Sequence, residues 1–317
     1  PRSTLFPYTT LFRSGEAERG RRDHLPRGSF LYLALPLADL AIGDRGGMVY
    51  TWSFFALAFG FSWLFWGPAA LLGQGDAVRL LHYLGGVGPL VAGIALACWS
   101  QNREICRDYW WRAVDGRRIR PGWYAVILLS VPVFKGLALL ADALINGGVP
   151  SLDVLAGFAA RPWALLPFAF FMLFFGPVPE ELGWRGCALD RLQERYSALI
   201  SSLIIGGAWA LWHLPLFFIA GTYQNGLGVG TPAFWLFMVT KFPDSILMTW
   251  IYNNTRRSTL SAILFHFMTN FVGELLPLST RADLYQAVAF AVAALAVVLI
   301  WGPARLAKPT EIIAPPL

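Results

Sequence analysis

Charged residues are scarce in this sequence of 317 residues. Asp, Glu, Lys and Arg make up only 14% of it and hydrophobic residues 56%, whereas a typical soluble domain carries about 25% charged residues. So little polar surface cannot cover a soluble globule of this size. The same composition excludes a disordered chain, a collagen and a coiled coil.

Cysteine is also rare. The three cysteines, Cys98, Cys106 and Cys187, contain no C-x-x-C pair and are odd in number, so the sequence predicts neither a disulfide framework nor a zinc knuckle.

There is no nucleic-acid-binding motif, and the net charge of +6 comes from arginines in short segments between apolar runs. Orientation of the chain in a membrane explains that pattern better than binding to nucleic acid.

What the sequence does contain is a series of apolar runs of about 20 residues. They predict an all-α fold, a polytopic helical membrane protein with about eight transmembrane helices. The predicted spans are 48–72, 80–100, 122–145, 162–180, 198–220, 232–252, 259–278 and 284–302. Glycines and prolines interrupt the second and fourth spans, which neighbouring helices can tolerate. Pro179 is well placed to restart a helix just before Glu180.

Lysine and arginine fall mainly on one side of the predicted membrane, with thirteen on that side and three on the other. By the positive-inside rule the richer side is cytoplasmic. Both ends of the native chain are therefore expected in the cytoplasm, in a multi-pass protein of the cytoplasmic membrane. The thirteen are Arg103, Arg107, Arg112, Arg117, Arg118, Arg120, Arg185, Arg191, Arg195, Arg256, Arg257, Arg305 and Lys308, and the three are Arg79, Arg161 and Arg281.

Residues 1–47 differ from the rest of the chain. They are Arg-rich and irregular, they precede all five methionines, of which Met48 is the first, and the run 4–14 resembles the translation of a common sequencing adapter. We therefore interpret 1–47 as a non-native leader and 48–317 as a single domain. The alternative is a secretory signal, because 30–41 is long enough for its apolar core, although no clean small-residue cleavage site follows.

Ionisable residues inside the spans are candidate functional residues, because a charge at the bilayer centre costs roughly 2.5–3.5 kcal/mol. Glu180 and Glu181 are adjacent carboxylates beside apolar sequence, and such a carboxylate can serve as a general base. Glu181 and Arg185 are four residues apart, so they can pair on one helical face. The alternative is a helix N-terminus at the bilayer edge, where the helix dipole favours acidic residues.

Two histidines lie within later spans. His213 ends the run Trp209-Ala-Leu-Trp-His213 in mid-span, and an isolated histidine on an apolar face is more often structural than functional. His266 and Asn270 are four residues apart and stack on one helical face. There Asn270 could orient the imidazole or donate to an oxyanion.

Two pairs of opposite charge also fall within spans. Lys241 and Asp244, three residues apart, are interpreted as a structural ion pair. Lys135 and Asp142, two helical turns apart, could pair in the same way.

The three motifs lie at similar depths in the predicted membrane. Glu180 and His213 are equidistant from a polar turn between their spans, so an antiparallel hairpin brings them to the same level. His266 is nine residues after Arg257 and Glu180 is eleven before Arg191, or about 14 and 16 Å at about 1.5 Å per residue. One buried pocket that opens to the cytoplasm could hold all three motifs.

These residues resemble the pattern of the CAAX-protease and bacteriocin-processing (CPBP) family of intramembrane proteases, which includes the type II CAAX prenyl endopeptidases. The family pattern reads E-E-x-x-x-R, then F-x-x-x-H, then H-x-x-x-N. The single departure is Trp209, where the family usually has Phe. The motif core, 180–270, covers 91 of the 317 residues. The matching residues are Glu180, Glu181, Arg185, Trp209, His213, His266 and Asn270.

The resemblance implies hydrolysis of peptide bonds inside the membrane. It implies that Glu180 is the base that activates water and that His213 positions this water or a metal. It further implies that His266 and Asn270 bind metal or stabilise the oxyanion, while the Glu181–Arg185 pair holds the motif in place.

The same resemblance implies a zinc ion. Two histidines and a carboxylate form an acceptable catalytic zinc site with one open position, so Glu180, His213 and His266 are the predicted ligands. The H-E-x-x-H zinc signature is absent, and a metal-free glutamate protease can be written with the same residues.

The substrate stays open, prenylated or not, and the possible roles are peptide maturation, bacteriocin self-immunity and the processing of membrane proteins. The expected partners are a peptide or membrane-protein substrate and the lipid bilayer. The competing class is a non-enzymatic membrane protein, namely a transporter, a scaffold or a bacteriocin-immunity protein. Broken helices and intramembrane charges also suit a transporter, although the internal repeat that a transporter favours is not apparent in the sequence.

Overall fold

A computed structural model describes residues 44–99 and 102–308. These residues belong to one compact unit, are mostly helical and include no strand, so the predicted all-α class is confirmed. All but the last four residues of the predicted leader, 1–47, lie outside the described residues.

The helices are numbered in chain order. They are α1 (Asp44–Leu72), α2 (Asp76–Gly86), α3 (Gly88–Trp99), α4 (Arg103–Val114), α5 (Pro121–Asn146), α6 (Asp153–Ala160), α7 (Leu165–Phe174), α8 (Pro177–Gly183), α9 (Leu189–Gln193), α10 (Ala198–Trp212), α11 (Tyr223–Leu227), α12 (Pro232–Asn254), α13 (Thr259–Leu275) and α14 (Thr280–Trp301). A π-helical turn, Trp184–Ala188, joins α8 to α9, and short 3₁₀ turns occur at Gly116–Arg118, Pro162–Ala164 and Leu214–Phe218.

Several long helices begin at a polar residue that caps them. Ser197, Thr231, Ser258 and Ser279 precede α10, α12, α13 and α14, and each side chain accepts a hydrogen bond from a backbone N–H in the first turn. Such caps satisfy donors that have no partner within the helix. The sequence therefore specifies where these helices start.

Within the described residues, six helical segments are long and apolar enough to cross a membrane. The predicted spans 232–252 and 259–278 correspond to α12 and α13, which have 23 and 17 residues but are not among the six. A multi-pass membrane protein is therefore supported, while the count of eight spans stays a prediction. The six segments are Tyr50–Leu72, Asp76–Cys98, Pro121–Asn146, Pro162–Gln193, Ala198–Phe218 and Thr280–Trp301.

The outer surface is rich in large apolar side chains. Leu71 is 90% exposed, Leu166 78% and Leu299 75%. Exposed apolar side chains in such number are unfavourable in water but suit lipid. The interior carries the polar groups, which a membrane protein must satisfy internally.

The core lies where α1, α10 and the segment after α8 meet. Trp66, Trp184 and Trp212 are fully buried. Ring centroids lie 4.6 Å apart for Trp66 and Trp212, and 6.0 Å apart for Trp184 and Trp212. This tryptophan cluster packs α1 and the end of α10 against the π turn that follows α8.

Two expectations from the sequence need correction, and a third is confirmed. Cys98 and Cys106 form a disulfide with their Cα atoms 4.7 Å apart, which the cysteine spacing did not predict because the end of α3 and the start of α4 meet only in the fold. Asp142 pairs with Arg281 at 3.3 Å rather than with Lys135, because α14 begins beside the end of α5. The Lys241–Asp244 pair is present at 3.7 Å.

Candidate active site

The segment that carries Glu180 begins at a break between two helices. α7 ends at Phe174, and α8 begins at Pro177 after Gly176. The restart predicted at Pro179 therefore occurs two residues earlier, because Pro177 already occupies the first helical turn, where its missing N–H costs nothing. Glu180 and Glu181 follow within α8, and both are buried.

A π-helical turn follows α8 at once. The N–H of Leu189 donates to the carbonyl of Trp184, five residues back. Glycine allows two close approaches here, since a Cβ at Gly183 would lie 2.5 Å from Cβ of Pro89, and one at Gly186 would lie 3.1 Å from Tyr109. Single π turns are frequent at functional sites, and the residue spacing gave no sign of this one.

Glu181 is the centre of a buried polar group. Nη1 of Arg185 donates to its two carboxylate oxygens at 3.1 and 2.9 Å, so the predicted i, i+4 pair is present. Nδ1 of His266 lies 2.9 Å from Oε1 of Glu181, and Nη2 of Arg185 donates to Oγ of Ser245 at 3.1 Å. Glu181 thus joins the first motif to the third.

Glu180 faces α10. Its Oε2 accepts a hydrogen bond from Nε1 of Trp209 at 2.6 Å. The Trp209 ring also packs edge-on against His266, with 5.1 Å between centroids, and Nζ of Lys241 lies 4.7 Å from its centre. Trp209 therefore contacts residues from two of the other motif-bearing segments.

His213 and Asn270 complete the set of predicted residues. His213 is buried, its Nδ1 lies 2.7 Å from the carbonyl of Trp209, and its ring packs against Trp209 at 5.9 Å. A Cβ placed on Gly176 would lie 3.4 Å from Nδ2 of Asn270, so the amide lies beside the break that precedes Glu180. All six predicted site residues are thus grouped around α8 and Trp209.

The predicted zinc ligands fit a metal by their chemistry but not by their placement. His213 and His266 each have Nδ1 held by a protein oxygen, which leaves Nε2 for a metal, as metal-bound histidines usually do. However, no group of three or more His, Cys, Asp or Glu residues in the described part of the chain is placed to hold a metal ion.

A second buried charge cluster lies at the end of the same segment. Asp190 accepts hydrogen bonds from Tyr252 at 2.9 Å, from Arg112 at 2.8 Å and from Arg257. Nη2 of Arg112 also donates to the carbonyl of Gly186 in the π turn at 2.8 Å. Burial acts to lower the pKa of Arg257, but Tyr252 and Asp190 outweigh it and raise this pKa above its usual value. The cluster was not predicted from the sequence, where these arginines indicate only the orientation of the chain in the membrane.

A cavity of about 40 Å³ adjoins this cluster. Its lining includes Asp108, Arg112, Asp190, Arg257, Cys187 and Tyr50. That volume suits one or two water molecules rather than a peptide. The cavity lies at the opposite end of the Glu181–Asp190 segment from Glu180, so we do not assign it to the candidate site.

Comparison with known proteins agrees with this geometry. Residues 162–272, which include every predicted site residue, match the family described as type II CAAX prenyl endopeptidase Rce1-like. The CAAX prenyl protease 2 of Methanococcus maripaludis is 28% identical over 253 residues, which cover 78% of this chain and 92% of that protein. The chain is related to the type II CAAX prenyl endopeptidases. This relation supports a membrane-embedded peptidase as the activity class.

Proposed function

We propose that this relative of the type II CAAX prenyl endopeptidases hydrolyses peptide bonds inside the membrane, with Glu180 as the base that activates a water molecule. The observation that carries the proposal is the pairing of Glu180 with Trp209 beside the linked residues Glu181 and His266. One oxygen of the buried Glu180 accepts from Trp209, and the imidazole of His266, which contacts Glu181, packs against the same indole.

The reaction begins with water beside Glu180. Because Oε2 is held by Trp209, Oε1 takes a proton from the water as its oxygen attacks the carbonyl carbon of the scissile bond. The carbon–nitrogen bond then breaks, and Glu180 returns the proton to the leaving amine. The proton that Glu180 takes from water is thus the proton that it gives to the leaving amine.

The developing oxyanion needs hydrogen-bond donors. Nδ2 of Asn270 is a neutral donor beside the break before α8. His266 is oriented by Glu181 through Nδ1, much as a buried carboxylate orients a catalytic imidazole, and as an imidazolium it can also donate from Nε2. His213, fixed through the carbonyl of Trp209, helps to position the water.

A zinc-dependent mechanism is a second form of the same proposal. Glu180, His213 and His266 would hold the ion, and it would supply Lewis acidity and a more acidic bound water. Because these side chains are not grouped closely enough to bind a metal as placed, the reaction steps given above use only the side chains.

We propose that the site opens to the cytoplasm. The arginine-rich segments contact one another at one end of the molecule, since Arg118 donates to the carbonyl of Arg256 at 2.9 Å, and the N–H of Ala198 donates to the carbonyl of Ala304 at 2.9 Å. The positive-inside rule assigns this end to the cytoplasm. A reporter fused after Lys308 should therefore behave as cytoplasmic, and one inserted after Gly147 as external.

The substrate we propose is a peptide segment of a membrane-bound protein. The name of the Methanococcus maripaludis relative, CAAX prenyl protease 2, supports testing prenylated CAAX peptides first. Purified protein in liposomes is incubated with farnesylated and unmodified versions of one peptide, and products are identified by mass spectrometry. Cleavage at one bond supports the endopeptidase, whereas uptake of intact peptide favours a transporter, and binding without either favours a scaffold.

A further inference from the structure

We infer that Trp209 is a positioning residue for Glu180, through a hydrogen bond that the phenylalanine usual in the family pattern could not make. This inference rests on the proposed function. Indole has a single N–H, which can donate and cannot accept. Its contact with Oε2 of Glu180 at 2.6 Å therefore assigns that oxygen as the acceptor and leaves Oε1 as the oxygen that faces water.

The contact matters because the carboxylate is buried. Glu180 is 8% exposed and Trp209 is 3% exposed. A buried carboxylate without donors loses its solvation, whereas a hydrogen bond to a charged group is among the stronger ones in proteins. Trp209 donates a hydrogen bond to the carboxylate of Glu180. The indole therefore selects the orientation of the base as well as stabilising it.

The indole is itself held in place from several sides. Nζ of Lys241 lies 4.7 Å from the ring centre and Cζ of Arg185 lies 5.5 Å from it. Both distances fall within the range of cation–π attraction. The edge-on contact with His266 adds a third restraint. Rotation of the indole away from Glu180 would break all of these contacts, so the N–H stays directed at Oε2.

The variant Trp209→Phe tests this inference directly. It keeps an aromatic ring at the position, restores the residue of the family pattern and removes the N–H together with part of the indole ring, a loss of volume that the control below also has. We expect kcat for peptide cleavage to fall about 10- to 100-fold, the size of effect expected for one hydrogen bond to a charged group. KM should change by less than about threefold, because substrate binding does not use this bond.

Trp66→Phe is the matched control. Trp66 is 1% exposed, and its Nε1 donates to the carbonyl of His82 at 2.8 Å, so the control also removes a buried indole hydrogen bond, but one between α1 and α2 that does not involve Glu180. It should lower the melting temperature as much as Trp209→Phe does and leave kcat unchanged. A wild-type kcat for Trp209→Phe, or equal loss of kcat in both variants, would overturn the inference.

A spectroscopic measurement tests the contact without relying on activity. The Nε1–H resonance of Trp209 in protein labelled with ¹⁵N-tryptophan is assigned by its absence from Trp209→Phe. It should lie downfield and move upfield in Glu180→Leu, while Glu274→Gln leaves it in place. An unmoved resonance would contradict the inference. If wild-type protein cleaves no peptide, the proposed function fails, and this resonance alone decides whether Trp209 holds Glu180.

Discussion

Nδ1 of His266 lies 2.9 Å from Oε1 of Glu181, a carboxylate that also pairs with Arg185 and is completely buried. An ionised carboxylate is only an acceptor, so His266 carries its proton on Nδ1 and presents Nε2 to the site. Glu181 thus orients the imidazole, while Glu180, one residue earlier on the same helix, faces Trp209.

The first prediction concerns the stability that Glu181 supplies. Glu181→Gln leaves the buried Arg185 guanidinium without its counter-charge, and breaking a buried ion pair costs about 3–5 kcal/mol of unfolding free energy. Thermal unfolding in detergent should reveal this loss. Glu194→Gln is the control, since the Glu194–Arg191 pair has side chains 34% and 30% exposed and should contribute only about 0–1 kcal/mol. Equal melting temperatures for the two variants would contradict the prediction.

The second prediction concerns the buried cluster around Asp190. Arg112 joins α4 to Asp190, Tyr252 and the π turn, so Arg112→Met should cost about 3–5 kcal/mol of stability. Arg117→Met serves as the control, because Arg117 pairs with Asp115 while 84% exposed, and it should unfold at the wild-type temperature. Unchanged melting of Arg112→Met would show that the cluster does not stabilise the fold.

The fold class and the grouping of the motifs could be predicted from the sequence, because both depend on spacing along neighbouring parts of the chain. Helical spacing joins Glu181 to Arg185, and the shared depth of Glu180 and His213 follows from the hairpin between them. The sequence was insufficient for the Trp209–Glu180 bond, the π turn and the Asp190 cluster. Each depends on how side chains from distant segments pack together, and residue spacing carries no information about that.

The third prediction concerns the disulfide. Cys98 and Cys106 lie on the side that the arginine count assigns to the cytoplasm, where thiols are kept reduced. A membrane-permeant maleimide should therefore label both cysteines in intact cells, and the disulfide should form after purification in air. Cys187 is buried and should react only after denaturation. Labelling in cells that requires prior reduction would place this loop on the opposite side.

Metal removal separates the two forms of the proposed mechanism. The side-chain mechanism predicts that protein stripped with a strong chelator keeps full activity at far less than one metal ion per chain. Loss of activity on stripping, with recovery on adding zinc, would instead establish the zinc form. In that case His213→Ala should weaken zinc binding, measured by metal content after dialysis, because a ligand is lost.

The central claim is that Glu180 activates water for cleavage of a peptide bond. The most direct test is kcat/KM for Glu180→Gln in liposomes, with a peptide that wild-type protein cleaves. A neutral amide fits the same space but cannot take the proton, so kcat/KM should fall by about 10²- to 10⁴-fold at a near wild-type melting temperature. Glu274→Gln, which changes an exposed carboxylate on α13, should cleave normally. Cleavage by Glu180→Gln at the wild-type rate would contradict the account.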